Sequence, residues 1–165
     1  MEFLPTPLDG VVLIRARAFT DARGSFMETW QEREFAAAGI DARFVQDNHS
    51  RSVRHTLRGL HYQIEQPQGK LVRVASGAVY DVAVDLRRSS QSFGRWYGTV
   101  LSDENHHMLW VPPGFAHGIL VISERAVRWN DPQLAIEWPL APGVKPLLSE
   151  KDAAAPPFSR AEYFA

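Results

Sequence analysis

Apolar and polar residues alternate along several short stretches of this chain, as they do in strands that bury one face. The clearest example is residues 78–86, where the even positions from 80 onward are Tyr, Val, Val and Leu. The odd positions include Asp81 and Asp85, which therefore lie on the opposite face. Ser76 and Gly77 precede this strand as a turn, which predicts a hairpin with the apolar run 70–75.

Further apolar runs of strand length are separated by Gly, Pro, Asn and Asp. They are Val11–Ile14, Ser25–Trp30, Arg43–Asp47, Thr56–Gln63, Gly94–Leu101, Met108–Val111 and His117–Ile122. So many short strands predict an all-β barrel or jelly roll. Residues 31–38 are good helix formers that stop at Gly39, which predicts one surface helix.

The bulk composition limits the kinds of protein this can be. The chain has 165 residues, 45% of them apolar, which is enough for a single domain over residues 1–165. A net charge of -1 and no Lys/Arg run argue against nucleic-acid and polybasic membrane binding. There is no signal-peptide pattern or long apolar stretch, so we expect a cytoplasmic protein. Without cysteine, the chemistry must come from His, carboxylate, Lys or Tyr side chains.

Two basic side chains stand at positions that suit catalysis. His61 lies in a predicted strand close to Gly59, which allows a kink or a close backbone approach. A catalytic base inside a barrel and an ordinary core or surface histidine are both consistent with this segment. Lys70 opens the next apolar run, where either a functional ammonium or a solvated edge charge fits.

A metal site is the main alternative for the histidines. His117 follows a Pro-Pro-Gly turn into an apolar strand, where it can face a barrel mouth. Metal-binding barrels of this kind use His-x-His with a nearby Glu and a further His, whereas His61 and His117 stand alone in their strands. We therefore predict no metal.

Eight segments together resemble the dTDP-4-dehydrorhamnose 3,5-epimerase family, in the order that the family has them. They are 19–28 (FTDARGSFME), 44–50 (FVQDNHS), 57–63 (LRGLHYQ), 68–73 (QGKLVR), 81–87 (DVAVDLR), 110–118 (WVPPGFAHG), 128–132 (RWNDP) and 148–152 (LSEKD). The resemblance covers nearly the whole chain. It implies a metal-free cupin barrel that forms a homodimer and needs no cofactor.

The activity that the resemblance implies is epimerisation at C3 and C5 of a dTDP-4-keto-6-deoxy sugar, in dTDP-rhamnose and O-antigen biosynthesis. By analogy, His61 is the base that removes protons beside the C4 ketone, and Asp152 orients its imidazole. Removing such a proton leaves an enolate, and Lys70 matches the family residue that faces its oxygen.

Other positions match family residues that contact the nucleotide, the diphosphate or the sugar, where Arg and Lys neutralise phosphate charge. These expected substrate-binding residues are Arg23, Glu28, Gln46, Asp47, Asn48, Arg58, His117 and Lys151.

The chain departs from the family after the His117 strand. The family continues there through a strand that carries a tyrosine, the general acid, whereas residues 122–129 run almost directly into Arg-Trp-Asn-Asp-Pro. The shortening is about 15 to 20 residues, one strand and its loop. The remaining tyrosines, Tyr62, Tyr80, Tyr97 and Tyr163, do not match this acid. A non-catalytic nucleotide-sugar-binding paralogue is therefore the alternative, and a metal-dependent cupin is a third possibility.

Overall fold

The computed structural model describes residues 1–123, 130, 132–133, 154 and 157–160. The chain divides into two compact units, Met1–Glu124 and Arg125–Ala165. In the first unit the strands are β1 (Glu2–Pro5), β2 (Val12–Arg15), β3 (Ala18–Asp21), β4 (Gly24–Met27), β5 (Leu57–His61), β6 (Lys70–Arg73), β7 (Ala78–Asp85), β8 (Trp96–Ser102), β9 (His107–Val111) and β10 (Phe115–Ser123). Its helix is α1 (Glu32–Ala37), and the second unit contains a short 3₁₀ helix at Phe158–Arg160. The all-β prediction with one or two short helices is confirmed.

The strands of the first unit form two four-stranded antiparallel sheets and a separate hairpin. One sheet has the order β1-β2-β9-β6, the other β5-β10-β7-β8, and β3 pairs with β4. β1 and β2 are consecutive in the chain, as are β7 and β8, whereas the other pairings in both sheets join strands far apart in sequence, as in a jelly roll. None of the described helices is long and apolar enough to cross a membrane.

A hydrophobic core joins the inner faces of the two sheets. Its fully buried members are Leu8, Val11, Ala83, Leu101, Leu109, Val111 and Phe115. Ala83 of β7 and Phe115 of β10 mark the inner face of the second sheet. Because side chains alternate along a strand, Asp81 and Asp85 share the inner face with Ala83, and Tyr80 faces outward.

Helix α1 covers the outer face of the first sheet. It ends in a Schellman motif, in which Ile40 N–H donates to Phe35 O at 2.9 Å and Gly39 N–H to Ala36 O at 3.0 Å, with Gly39 at φ 82°. Phe35 and Ile40 are buried against the outer residues of the sheet, among them Trp110. The predicted helix and its glycine stop are confirmed.

Two predictions about local structure are wrong. The predicted strand Arg43–Asp47 has no regular secondary structure, because Phe44 packs edge-on against Trp110 while the backbone joins neither sheet. The predicted hairpin around Ser76 and Gly77 is absent, since β6 pairs with β9 and β7 pairs with β8 and β10. This turn carries the chain from one sheet to the other.

Two short strands had not been predicted. β1 lies at a sheet edge and ends at Pro5, in keeping with the preference of proline for edge strands. β3 forms the hairpin with β4, in which Phe19 is opposite Phe26. Both phenylalanines are exposed.

Candidate active site

A bulge in β5 places two candidate side chains on one face. Arg58 pairs with Ile119 and His61 pairs with His117, so three steps along β5 correspond to two along β10. A strand with one extra residue bends and re-aims its side chains. Arg58 and His61 would point to opposite faces of a regular strand, whereas here both lie on the face of His117.

Close backbone contact makes this bulge dependent on glycine. Gly59 has a φ of 119°, a backbone conformation that residues other than glycine rarely adopt. A Cβ at Gly59 would lie 2.5 Å from Gly118 Cα and 2.8 Å from His117 O. The sequence prediction that Gly59 allows a kink or a close approach beside His61 is thus confirmed.

The shared face is the interior of the barrel. His117 lies two residues after Phe115 of the core on the same strand, so both side chains point inward. His61, directly opposite His117, points the same way, and its side chain is exposed. The two imidazoles therefore stand side by side on neighbouring strands.

His117 is held by a carboxylate that the sequence analysis did not select. Its Nε2 lies 3.0 Å from both Oδ1 and Oδ2 of Asp81. The Asp81 side chain has no exposed surface, and the His117 side chain is 15% exposed. The alternation in β7 had already placed Asp81 opposite the apolar positions. Only the sheet pairing shows that this acidic face is the inner one.

Lys70 reaches the interior from the other sheet. It pairs with Val111, a core residue, at the start of β6 and so shares its inward direction. Burial lowers the pKa of the half-buried Lys70 ammonium, because charge is less stable away from water. The side chain lines a cavity of about 120 Å³ with Tyr62, Gln63, Ile64, Pro67, Gln68, Leu86, Arg87, Gly114 and Phe115.

The end of β7 is fixed by a buried ionic network beside this cavity. Asp85, fully buried, accepts hydrogen bonds from Arg87 Nε and Nη2 at 2.9 and 2.8 Å, and from the hydroxyls of Ser90 and Ser92 at 2.6 Å each. The Arg87 guanidinium holds the pKa of Asp85 well below its usual range. Arg87 also stacks on Phe115, 4.5 Å from the ring centroid.

The expected substrate contacts from earlier in the chain lie at the surface. Arg23, in the turn between β3 and β4, is bound by Asp21, with Nη2 2.6 Å from Oδ2. This contact raises the pKa of Arg23 and lowers that of Asp21. Glu28 and residues 46–48 are exposed, with Gln46 Nε2 donating to Asn48 Oδ1 at 3.0 Å. Within the described part of the chain, no hydrogen bond joins them to His61 or His117.

Some candidate features fall outside this cluster. Lys151 and Asp152 lie outside the described residues. A wide concavity of about 620 Å³ is lined by Pro7, Asp9, Arg87, Ser89, Ser90, Gln91, Ser92 and Arg95, without His61 or His117. Across the described ranges, no group of three or more His, Cys, Asp or Glu side chains is placed to hold a metal ion.

The comparisons with known sequences agree with the motifs. A sequence model described as dTDP-4-dehydrorhamnose 3,5-epimerase matches residues 5–127. The dTDP-4-dehydrorhamnose 3,5-epimerase of Pseudomonas aeruginosa is 51% identical over 172 aligned positions, covering 93% of this chain and 94% of that protein. The protein of the same name from Methanothermobacter thermautotrophicus is 47% identical, covering 92% of this chain and 91% of its own.

One of these alignments contains sizeable gaps. The Pseudomonas alignment has 172 positions, more than the 165 residues of this chain. Since it uses 93% of the chain, which is about 153 residues, about 19 of its positions fall opposite gaps in this chain.

A solved structure matches the fold over nearly the same length. The crystal structure of dTDP-6-deoxy-D-glucose-3,5-epimerase from Legionella pneumophila, in complex with dTDP-4-keto-L-rhamnose, superposes with a TM-score of 0.71. It is 44% identical, and the match covers 96% of this chain and 93% of that one.

Proposed function

Because this chain belongs to the dTDP-4-dehydrorhamnose 3,5-epimerase family, we propose that it epimerises a dTDP-4-keto-6-deoxy sugar at C3, C5 or both. Its two-sheet barrel is the cupin jelly roll that the motifs implied. The observation that carries the proposal is the pairing of β5 with β10, which sets His61 on the inner face beside His117.

His61 is the proposed base. A proton beside a ketone is acidic enough for imidazole only if the enolate oxygen is stabilised as its charge develops. Lys70 pairs with the core residue Val111 in the opposite sheet, and the inward direction of this position supports a role for its ammonium at the C4 oxygen. Asp152, proposed to orient His61, belongs to the part of the chain outside the described residues. This chemistry needs no metal or other cofactor.

The substrate is proposed to be held through its diphosphate and nucleotide. Arg58 shares the inner face with His61, and its Nε donates to Ser52 Oγ at 2.9 Å. Its remaining guanidinium donors suit a phosphate group. Arg23 would have to exchange Asp21 for phosphate, and both partners are exposed, so the cost of that exchange is small. Glu28, Gln46, Asp47, Asn48, His117 and Lys151 complete the proposed set.

Without the family's tyrosine, no residue is assigned as the acid that returns a proton to the enolate carbon. A paralogue that binds the nucleotide sugar without catalysis is therefore the second candidate. The gaps in the Pseudomonas alignment, about 19 positions, are of the size proposed for the shortening after β10. A protein that retains a base but no acid would remove protons without inverting the carbon.

The decisive experiment is solvent-deuterium exchange into dTDP-4-keto-6-deoxyglucose, followed by NMR. We expect exchange at C3, C5 or both, lost in His61→Asn while dTDP binding by calorimetry persists. His106→Asn is the matched control, since His106 lies between β8 and β9 with φ 53°, which asparagine tolerates. Binding of dTDP without exchange in the unmodified protein would refute the catalytic proposal and favour the binding-only paralogue.

A homodimer is the proposed assembly, and the outer face of the second sheet is its proposed interface. Four apolar side chains there are exposed: Leu57 69%, Leu60 53%, Trp96 62% and Val100 40%. Leu57, Trp96 and Val100 point outward because they pair with the outward-facing residues Leu120, Val84 and Tyr80, respectively. Leu60 points outward because it is next to the inward-facing His61. A large apolar patch on a sheet face is typical of a surface that a partner covers.

Sedimentation velocity tests this interface. We expect the unmodified protein to be a dimer and Trp96→Lys to shift it toward monomer, whereas Arg88→Lys in the loop between β7 and β8 leaves the dimer intact. A Trp96→Lys protein that stays fully dimeric would place the interface elsewhere.

Three further proposals are a cytoplasmic location, a single domain over residues 1–165 and the absence of a nucleic-acid partner. The last is in keeping with the net charge of -1.

A further inference from the structure

Phe44 fixes one end of an irregular segment to the first sheet. Its ring packs edge-on against Trp110 of β9, with the ring centroids 6.0 Å apart, and edge-on against Trp30, also at 6.0 Å. Trp110 is buried on the outer face of that sheet. Edge-on aromatic pairs are favourable beyond the area that they bury. Phe44 is therefore anchored although the backbone around it forms no strand.

The Trp110 ring lies beside the strand that begins with Lys70. Trp110 pairs with Leu71 of β6, and a Cβ added at Gly69 would lie 2.4 Å from Cη2 at the tip of the indole. The glycine thus leaves room for the ring directly before Lys70. Through this ring, Phe44 is held close to the start of β6.

Ser52 fixes the other end of the segment to the second sheet. Its Oγ accepts a hydrogen bond from Arg58 Nε at 2.9 Å, and Arg58 lies in β5 on the inner face that carries His61. The backbone that follows is joined to the same sheet, since His55 N–H donates to Val121 O of β10 at 2.8 Å. The chain has therefore crossed from the first sheet to the second by this point.

Three expected substrate contacts, residues 46–48, lie between the two anchors. The stretch 44–52, which we call the strap, forms neither strand nor helix. Within it, Gln46 Nε2 donates to Asn48 Oδ1 at 3.0 Å, and residues 46–48 are exposed. Exposed polar side chains on irregular backbone keep a fixed place only if the segment is held at its ends.

On the basis of the proposed function, we propose that Phe44 and Ser52 are positioning residues, which hold the strap so that residues 46–48 meet the sugar nucleotide. The strap connects the sheet of Lys70 with the sheet of His61, and a ligand that contacts both of these side chains lies between the same two sheets. Side chains that are held in place before the ligand arrives save the entropy of ordering them at binding. The two anchors therefore act on affinity.

Calorimetric binding of dTDP and the kinetics of deuterium exchange into dTDP-4-keto-6-deoxyglucose test the strap in the full-length protein. We expect Phe44→Ala and Ser52→Ala each to raise Kd and KM about 10-fold, as for ordering one to three side chains at binding, with the exchange rate at saturation retained. Ser52→Thr keeps a hydroxyl acceptor and should bind like the unmodified protein. The double variant should lose less than the product of the two single losses, because one missing anchor already frees the strap.

Two controls separate this effect from a general loss of stability. Val45→Ala removes an 85% exposed side chain beside Phe44 and should change neither Kd nor KM. Phe3→Ala removes a ring that packs edge-on against Phe35, with centroids 5.2 Å apart, at the far end of the same chain of aromatic contacts. It should lower stability without changing Kd. Tryptic cleavage after Arg51 reports on the strap without any ligand, and it should be faster in the two anchor variants than in either control.

The outcomes that would overturn the strap are distinct from failure of the proposed function. Unchanged Kd and KM in Phe44→Ala and Ser52→Ala, or losses that multiply in the double variant, refute it. Equal weakening of binding in Phe3→Ala would show a loss of stability instead of positioning, and the inference is then wrong. If the unmodified protein neither binds dTDP nor exchanges deuterium, the proposed function fails and the positioning role fails with it, whereas faster tryptic cleavage of the anchor variants would still show that both contacts hold the strap.

Discussion

Replacing Gly59 by alanine tests whether the β5 bulge orders the site. The new Cβ would meet Gly118 Cα at 2.5 Å and His117 O at 2.8 Å, both backbone atoms that cannot rotate away. The φ of 119° adds strain of about 1–3 kcal/mol, and the forced backbone shift adds about 1–3 kcal/mol. We therefore expect Gly59→Ala to lower the free energy of unfolding by about 2–6 kcal/mol.

Gly94→Ala is the matched control, because Gly94 also has a positive φ, 74°, but nothing within 4 Å of the added Cβ. It should cost only the conformational part, about 1–2 kcal/mol. Urea unfolding monitored by circular dichroism measures both, and a difference of about 2 kcal/mol moves the midpoint by about 1 M. Gly59→Ala should also slow deuterium exchange into the keto sugar, since moving β5 displaces His61. Equal losses of stability in the two variants would refute the close-contact argument.

Two further predictions concern the charged groups around the cavity. Asp85→Asn should lower the free energy of unfolding by about 3–5 kcal/mol at pH 7, because a neutral amide leaves the Arg87 charge without its counter-ion, and its single acceptor oxygen cannot replace both carboxylate oxygens for Arg87 and the two serines. Since the folded-state pKa of Asp85 is lowered, its contribution is present above the unfolded-state pKa of about 3.9 and is lost as pH falls toward the folded value, so urea midpoints of the two proteins should converge in acid. Lys70→Met should lower the exchange rate about 10²–10³-fold with dTDP affinity retained. In the unmodified protein the exchange rate should fall as the pH rises through the pKa of Lys70, which burial lowers below 10.5. An exchange rate that stays unchanged up to and beyond pH 10.5 would contradict a role for the Lys70 charge.

Strand positions and the helix end followed from local patterns in the sequence. Alternation identified β7, and the glycine after residues 31–38 predicted the stop of α1, because both depend on interactions within a few residues. The local pattern failed for Arg43–Asp47, where packing of Phe44 on Trp110 replaces strand pairing. It also failed at Ser76 and Gly77, since a turn signal does not specify which strands will pair.

The candidate site divides in the same way. The order of motifs along the chain indicated the family, and the comparisons show that the chain belongs to it. The same motifs predicted His61, Lys70 and the substrate-binding residues as one set. The roles of these residues stay predictions. The sequence also showed that Asp81 faces away from Tyr80, but both faces of that strand carry buried or half-buried residues, so the pattern alone did not identify the inner one.

Only the tertiary structure brought Asp81 to His117, 36 residues apart, and placed Arg58 and His61 on one face through the bulge. These features depend on strand register, which is decided when distant strands compete for the same backbone hydrogen bonds and the same core space. A one-residue change of register reverses the direction of every side chain in a strand. The sequence by itself therefore determined which residues are available for chemistry, and the sheet pairing decided which of them meet.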